Sequence, residues 1–160
     1  SIPSRRESCK GGAVVSRFLL LLAATSLHAI TPGQVEAVIQ VESSGNPNAI
    51  GRLGERGLLQ FFPAAWADTT LWRARHGLPT YGYGTWSTDA GVGREYATSW
   101  LTYLEDRLTT ALGRKPTIGE VYAAHQLGFA GFKSKGFDLR RCPAITRIVV
   151  ARINRDPRSK

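Results

Sequence analysis

One carboxylic acid, Glu42, combines two features that favour acid–base chemistry, an apolar helical face and a helix end. Three apolar residues precede it at helical spacing, and Glu42 continues their face at i+7; they are Val35, Val38 and Ile39. The turn residues 43–47 follow, so the carboxyl group lies near the negative end of the predicted helix. Desolvation and the helix dipole both favour the protonated form, which can act as a general acid. By spacing alone, a solvent-facing glutamate at a helix end fits equally well.

Two short motifs surround this acid, and a third follows downstream. Residues 42–49 read Glu-Ser-Ser-Gly-Asn-Pro-Asn-Ala, and residues 56–63 read Arg-Gly-Leu-Leu-Gln-Phe-Phe-Pro. They resemble the Glu-Ser-x-x-Asn-Pro-x-Ala and Gly-Leu-Met-Gln segments of the soluble lytic transglycosylase (SLT) family, with Leu59 in place of methionine. Residues 124–128 read Ala-His-Gln-Leu-Gly, which departs from that family's Ala-Tyr-Asn-x-Gly but is similar to an Ala-His-x-Leu-Gly motif of phage- and tail-associated transglycosylases. The resemblance extends over residues 32–135.

The resemblance implies a lysozyme-like fold, mainly α, an α+β class with little or no sheet. It also implies a peptidoglycan lytic transglycosylase that cleaves the MurNAc–GlcNAc β-1,4 bond and forms 1,6-anhydro-MurNAc. In that reaction a single acid, here Glu42, protonates the leaving oxygen while the acetamido group of the sugar stabilises the developing cation. The carboxylate then takes a proton from the 6-hydroxyl group, which closes the anhydro ring. Neither a metal nor a cofactor is expected.

The same resemblance assigns substrate-binding roles to residues near the acid. Ser43 would shape the site, although it could equally be a simple hydrogen-bonding residue at the helix end. The backbone near Leu58 and the side chain of Gln60 would hold the N-acetyl group of a sugar. His125 would take the place of the motif's tyrosine, next to Gln126. The alternative for His125 is a core histidine that is hydrogen-bonded to a backbone carbonyl.

Aromatic residues concentrated in residues 66–86 suit a sugar cleft, because sugar rings stack on aromatic faces. Tyr81 and Tyr83 lie among glycines in a predicted loop and are candidates for substrate contact. Trp66 lies on a predicted helix, where core packing is the favoured interpretation.

Other functions are compatible with the chain. A hydrolysing muramidase or chitinase-like enzyme on the same fold needs a second carboxylate to position water. The nearest ones are Glu55, Asp68 and Asp89, whose contexts indicate a solvated loop, a helix surface and a helix cap. A non-catalytic wall-binding or assembly protein is the second alternative; Glu42 argues against it, because an unpaired carboxyl group on an apolar face costs stability. A basic DNA-binding helical domain is the least favoured.

The net charge of +9 and the pI of about 10.2 indicate either a solvated basic surface or attraction to nucleic acid, anionic lipid or bacterial cell wall. The sequence contains no run of five Lys/Arg and no RNA-binding motif, so no nucleic-acid partner is expected. The scattered His and Cys residues lack the spacing of metal ligands. The expected partners are peptidoglycan glycan strands, either in wall turnover or within a secretion, conjugation or phage-tail apparatus.

The length of 160 residues suits one compact domain. Residues 1–29 are predicted to be a signal peptide or an N-terminal apolar segment, because basic residues precede the apolar run 18–27 and small residues follow it. The alternative is a buried helix of the domain. Residues 30–155 would form the lysozyme-like catalytic domain, and residues 156–160 a polar tail. We therefore expect an exported protein of the periplasm or cell envelope, or one associated with a virion.

Helical periodicity and capping residues predict five helices after the apolar segment. Their predicted ranges are 32–43, 63–77, 88–112, 117–128 and 143–153. Residues 78–87 are predicted to be a loop, and residues 129–137 a short helix or turn. A small hairpin is expected in residues 50–60 or 78–87.

Overall fold

The computed structural model describes residues 30–160, so the predicted signal peptide at residues 1–29 lies outside the described residues. Within that range the chain is mostly helical. The α-helices are α1 (Pro32–Ser43), α2 (Pro63–Arg75), α3 (Tyr83–Trp86), α4 (Ala90–Leu112), α5 (Ile118–Ser134) and α6 (Ala144–Arg155). Two short 3-10 helices, Leu139–Arg141 and Pro157–Ser159, precede and follow α6.

The helix boundaries follow the capping chemistry of the sequence. Thr31 accepts a hydrogen bond from the backbone of Gln34, whose side chain accepts one from the backbone of Thr31, which completes the predicted capping box of α1. Thr117 and Glu120 form the same reciprocal pair at the start of α5. Asp89 caps α4 by accepting a hydrogen bond from the backbone of Val92 at 2.8 Å.

The core forms where the other helices pack against α4 and α5. α4 contacts α1, α2 and α5, while α6 packs on α5 and α1. Val38, Ile39 and Leu101 are fully buried in this core. At Gly119 of α5 a Cβ atom would lie 2.6 Å from a methyl carbon of Val150 of α6, so glycine permits the close approach of these two helices.

The predicted mainly α class with almost no sheet is confirmed. Residues 50–61 contain isolated antiparallel bridges, Ile50 with Arg56 and Arg56 with Phe61, which form a rudimentary hairpin in the first of the two expected loops. The second expected loop, residues 78–87, instead contains the single helical turn α3.

Two features of the C-terminal half add to the sequence prediction. The helix predicted to end at residue 128 and the short helix or turn predicted for residues 129–137 form one element, α5, which has a break at Gly128 (φ 71°, ψ 154°) and ends at Ser134. Residues 156–160, predicted to be a polar tail, contain the 3-10 helix Pro157–Ser159. The carbonyl oxygen of Ser159 accepts a hydrogen bond from the side-chain nitrogen of Gln34 in α1, at 3.4 Å. None of the helices between residues 30 and 160 has the length and apolar character needed to cross a membrane.

Candidate active site

A cleft of about 770 Å³ opens between the end of α1, the start of α2 and the facing sides of α4 and α5. Its volume falls in the range of small-ligand sites, about 300–1,000 Å³. The lining residues named below are Glu42, Glu55, Gln60, Phe62, Asp68, Trp100, Arg107, His125, Gln126 and Phe129. Four helices and the loop between α1 and α2 therefore supply the cleft walls.

Glu42 lies on the cleft wall at the last turn of α1. Only 16% of its side chain is exposed. The helix ends directly after it because Ser44 (φ 55°) and Gly45 (φ 77°) adopt left-handed conformations. The hydroxyl group of Tyr122 of α5 interacts with the Glu42 carboxyl group, which helps to raise the pKa of Tyr122, and Nε2 of His125 lies 3.8 Å from Glu42 Oε1. A half-buried carboxyl group thus faces both the cleft and two potential proton donors.

The protonation state of His125 follows from the hydrogen bond that its second ring nitrogen, Nδ1, accepts. Trp100 Nε1, which can only donate, donates a hydrogen bond to His125 Nδ1 at 3.0 Å. Nδ1 therefore carries no proton, and in the neutral ring the proton lies on Nε2, the nitrogen that faces Glu42. Protonating Nδ1 would place two N–H groups against each other. The indole of Trp100 consequently fixes both the tautomer and the neutral state of the imidazole.

The pKa shifts of the neighbouring groups agree with this geometry. Burial lowers the pKa of His125 below its ordinary value of 6.5, and the charge of Glu42 opposes the shift in part. Burial raises the pKa of Tyr122 far above its ordinary value, with further contributions from the charge of Glu42 and from the hydrogen bond to it. Both groups therefore stay uncharged near neutral pH and can donate hydrogen bonds to a carboxylate.

Gln60 stands at the end of the glycine-rich loop with an unusual backbone conformation. Its φ of 48° is rare for a residue with a Cβ atom, and such strain concentrates at functional sites. Its amide nitrogen donates to the backbone carbonyls of Gly57 at 2.8 Å and Ala49 at 3.3 Å. The nitrogen is thus used to hold the loop, and the carbonyl oxygen Oε1 is the part of the amide that can accept a hydrogen bond from a ligand.

Aromatic rings and one cation line the cleft beyond Glu42. The Arg107 guanidinium lies 3.9 Å from the centroid of the Phe129 ring, a cation–π contact. Phe62, at the start of α2, is 46% exposed in the same cleft. The break of α5 at Gly128 precedes Phe129 and lets the helix turn its next residues onto the cleft wall. These surfaces can stack on sugar rings, while Arg107 can attract a carboxylate.

Two further carboxylic acids line the cleft: Glu55, predicted to be a solvated loop residue, and Asp68, predicted to lie on a helix surface. Glu55 is partly buried and accepts a hydrogen bond from the backbone of Leu53 at 2.9 Å. Asp68 is exposed on α2. Both therefore face the same space as Glu42.

Four of the sequence-predicted site residues line the cleft together: Glu42, Gln60, His125 and Gln126. The other four lie outside its lining. The hydroxyl group of Ser43 donates a hydrogen bond to the Ile39 carbonyl at 3.3 Å, as expected for a helix-end residue. The side chain of Leu58 is in the core, 1% exposed.

The two loop tyrosines, Tyr81 and Tyr83, make hydrogen bonds within the chain. The hydroxyl group of Tyr83 donates a hydrogen bond to the Phe61 carbonyl at 2.9 Å. The Tyr81 carbonyl accepts hydrogen bonds from the side chains of Trp66 and Tyr96, at 2.8 Å and 3.1 Å. Trp66 is buried, stacked on Tyr96 with ring centroids 3.8 Å apart, as the core interpretation predicts.

Sequence reasoning missed Trp100 and Tyr122, the two residues that surround His125 and Glu42. Tyr122 precedes His125 by three positions, so both occupy one face of α5; this spacing is the only signal that the sequence carries. Trp100 belongs to the apolar stripe of α4, where core packing is the ordinary interpretation. Among the described residues, no group of three or more His, Cys, Asp or Glu side chains could hold a metal ion.

Comparison with known families agrees with the motifs around Glu42. The family described as transglycosylase SLT domain matches residues 20–77, somewhat more than a third of the chain. The matched range contains α1, the loop with Gln60 and α2, and it confirms the resemblance to the lysozyme-like SLT family. Because the match ends before α4 and α5, the similarity to phage-associated transglycosylases stays a prediction. No curated protein and no solved structure matches the chain.

Proposed function

We propose that the protein, whose residues 20–77 match the transglycosylase SLT domain family, is a peptidoglycan lytic transglycosylase in which Glu42 is the single general acid and base. The bond cleaved is the MurNAc–GlcNAc β-1,4 bond, and the product ends in 1,6-anhydro-MurNAc. One observation carries the proposal: a half-buried Glu42 faces a cleft between two uncharged donors, Tyr122 and His125.

The reaction needs one group that first gives and then takes a proton. Protonated Glu42 donates its proton to the glycosidic oxygen as the bond to C1 breaks, and the acetamido oxygen of the sugar stabilises the positive charge at C1. The Glu42 carboxylate then removes the proton of the 6-hydroxyl group, whose oxygen bonds to C1. Glu42 is regenerated in its acid form, and no water is consumed.

The neutral state of His125 favours this cycle. An imidazolium 3.8 Å from Glu42 would hold the carboxyl group ionised and so prevent proton donation. The neutral ring instead offers its Nε2–H, and Tyr122 offers its hydroxyl group, to the carboxylate that forms after the first proton transfer. These donors stabilise the charge as it appears, which lowers the barrier to the first step.

The rest of the cleft suits an anionic glycan. Phe62 and Phe129 present rings on which sugars can stack, and Arg107 presents a positive charge to the carboxylates of muramic acid and its peptide stems. Gln60 would accept a hydrogen bond from an acetamido N–H through its Oε1 atom. The expected setting is the periplasm or cell envelope, or a virion, with wall turnover or a secretion, conjugation or phage-tail apparatus as the context.

A hydrolysing muramidase is the second candidate, and a specific observation favours it: Glu55 and Asp68 line the same cleft as Glu42. Either carboxylate could act as the base that activates water on the opposite side of the sugar ring. This route adds one water molecule to each cleaved bond. The mass of the product therefore separates the two candidates.

The test is mass spectrometry of the soluble fragments released from purified peptidoglycan in ¹⁸O-labelled water. The proposal predicts fragments that end in anhydro-muramic acid and carry no ¹⁸O. Fragments that are heavier by one labelled water would replace the proposal with hydrolysis, and loss of that product in Glu55→Gln or Asp68→Asn would identify the base. If no fragments appear under any condition, a wall-binding or assembly role replaces both.

A further inference from the structure

Positive charge is concentrated at the C-terminal end of the domain. Residues 133–160 contain nine Lys/Arg and two Asp/Glu, a formal net charge of +7. Residues 30–132 contain eight Lys/Arg and nine Asp/Glu, a formal net charge of −1. The excess charge of the described part of the chain therefore belongs entirely to one short segment, which contains α6 and the two 3-10 helices.

The two aspartates of this segment already have arginine partners. Asp138 pairs with Arg140 at 2.8 Å, and Asp156 pairs with Arg158 at 2.6 Å. The hydrogen bond from Arg158 lowers the pKa of Asp156 to about 2. The charges of these carboxylates are thus compensated locally, and the arginines of α6 add to the surface potential.

The outward side of α6 combines arginines with exposed isoleucines. Four of its residues fall within about a quarter of the helical circumference, at i, i+3, i+7 and i+10. This basic face consists of Ile145, Ile148, Arg152 and Arg155, all of them exposed. Ile145 is 60% and Ile148 50% exposed, although the opposite side of the helix is buried against α5 and α1.

The first turn of α1 packs against the 3-10 helix Pro157–Ser159, which follows the C-terminal end of α6. The side chain of Gln34 in the first turn of α1 donates to the carbonyl of Ser159 at 3.4 Å. Gly33 lies so close to the carbonyl of Arg158 that a Cβ atom would collide with it. The start of α1 therefore lies beside the 3-10 helix that follows α6.

We propose that the basic face docks on the anionic phospholipid surface of a membrane. Arg152 and Arg155 would bind headgroup phosphates, and Ile145 and Ile148 would enter the boundary between headgroups and acyl chains. Complementary charge argues for an anionic partner. The isoleucines argue for lipid rather than a hydrated polymer, because a lipid surface removes them from water and a hydrated polymer does not.

Vesicle co-sedimentation of the full chain tests the proposal without reference to enzyme activity. The probes are phosphatidylcholine vesicles with and without one third phosphatidylglycerol. We expect at least tenfold tighter binding to the anionic vesicles and a marked loss of this preference in high salt. Arg152→Glu/Arg155→Glu should abolish the preference, and Ile145→Ser/Ile148→Ser should weaken binding to anionic vesicles severalfold.

Matched variants control for charge and hydrophobicity elsewhere on the surface. Arg52→Glu/Arg75→Glu changes the net charge equally, and Leu53→Ser/Leu71→Ser removes two other exposed apolar side chains. Both should bind as the unaltered protein does. The proposal is overturned if these controls lose as much binding as the α6 variants. It is equally overturned if the arginine pair governs binding to duplex DNA or a soluble anionic polymer while the isoleucine pair has no effect on vesicle binding.

Discussion

At the scale of single residues, the account depends on how three side chains hold one carboxyl group. Trp100 donates to His125, His125 directs its Nε2–H toward Glu42, and Tyr122 interacts with Glu42 as a second potential donor. Eight site residues are expected, most of them from the family resemblance, and the structure brings four of these to one cleft: Glu42, Gln60, His125 and Gln126. The sequence does not predict the role of Trp100, because its hydrogen bond to His125 joins residues on different helices, 25 positions apart.

Trp100→Phe tests whether the indole N–H of Trp100 fixes the tautomer of His125. Phenylalanine keeps an aromatic ring but removes the indole N–H, so His125 Nδ1 is free to take a proton. We expect a loss of about tenfold in cleavage rate at neutral pH and a steeper loss as the pH falls, because the imidazolium then holds Glu42 ionised. The pH profile of kcat/KM measures this. A variant that is slower by the same factor at every pH would limit Trp100 to a packing role.

His125→Ala tests the depressed pKa of the histidine. In the folded protein the ring stays neutral below pH 6.5, whereas in the unfolded chain it takes a proton near that pH. The unfolded state then binds more protons, so stability falls as the pH drops below about 6.5 toward the folded-state pKa. The melting temperature between pH 7.5 and pH 5 should fall less in the variant than in the unaltered protein. Equal slopes would mean that His125 titrates alike in both states.

At the scale of elements, the capping boxes explain which helices could be predicted. Both α1 and α5 begin where the Thr-x-x-Gln and Thr-x-x-Glu patterns predict, because the reciprocal hydrogen bonds are local in sequence. The single turn α3 was missed, since four residues are too few to carry a helical period. The sequence predicts a helix end at residue 128, because a glycine is an ordinary sign of a helix end, and α5 breaks at this residue before it continues to Ser134.

Gly128→Ala tests the break in α5. A φ of 71° with a ψ of 154° is a conformation that essentially only glycine adopts, and no atom lies within 4 Å of the Cβ position. Any decrease in the free energy of unfolding of this variant therefore reports backbone strain rather than a steric clash. We expect a decrease of about 1–3 kcal/mol. Cleavage should also fall, because Phe129 would shift on the cleft wall. Chemical denaturation and the cleavage rate measure the two effects.

Gly84→Ala in α3 is the matched control. It too has open space around the Cβ position, but without the positive φ. This variant should keep the stability and the activity of the unaltered protein. If the two alanine variants behave alike, the break at Gly128 carries no strain and does not shape the cleft.

At the scale of the whole molecule, the fold separates two surfaces that the net charge alone cannot distinguish. The cleft is built from residues 42–131, which lie in the nearly neutral part of the domain, whereas residues 133–160 carry the basic excess. Composition gives the net charge of the chain but not the part of the surface that carries it, because the charge is summed over all residues. The proposed reaction is inferred from the family resemblance. The packing of α1, α4 and α5 brings the candidate site residues together around the cleft.

The central claim, that Glu42 is the proton-transferring group, is tested most directly by the cleavage rate of Glu42→Gln on purified peptidoglycan. Glutamine keeps the size of the side chain but cannot give or take the proton. The account predicts a rate lower by about 10³-fold with a nearly unchanged melting temperature, since general acid–base catalysis contributes about 10²–10⁴-fold. Glu55→Gln and Asp68→Asn, which alter the other two carboxylates of the cleft, should retain most of the activity. Undiminished cleavage by Glu42→Gln, or a greater loss in either control, would contradict the account.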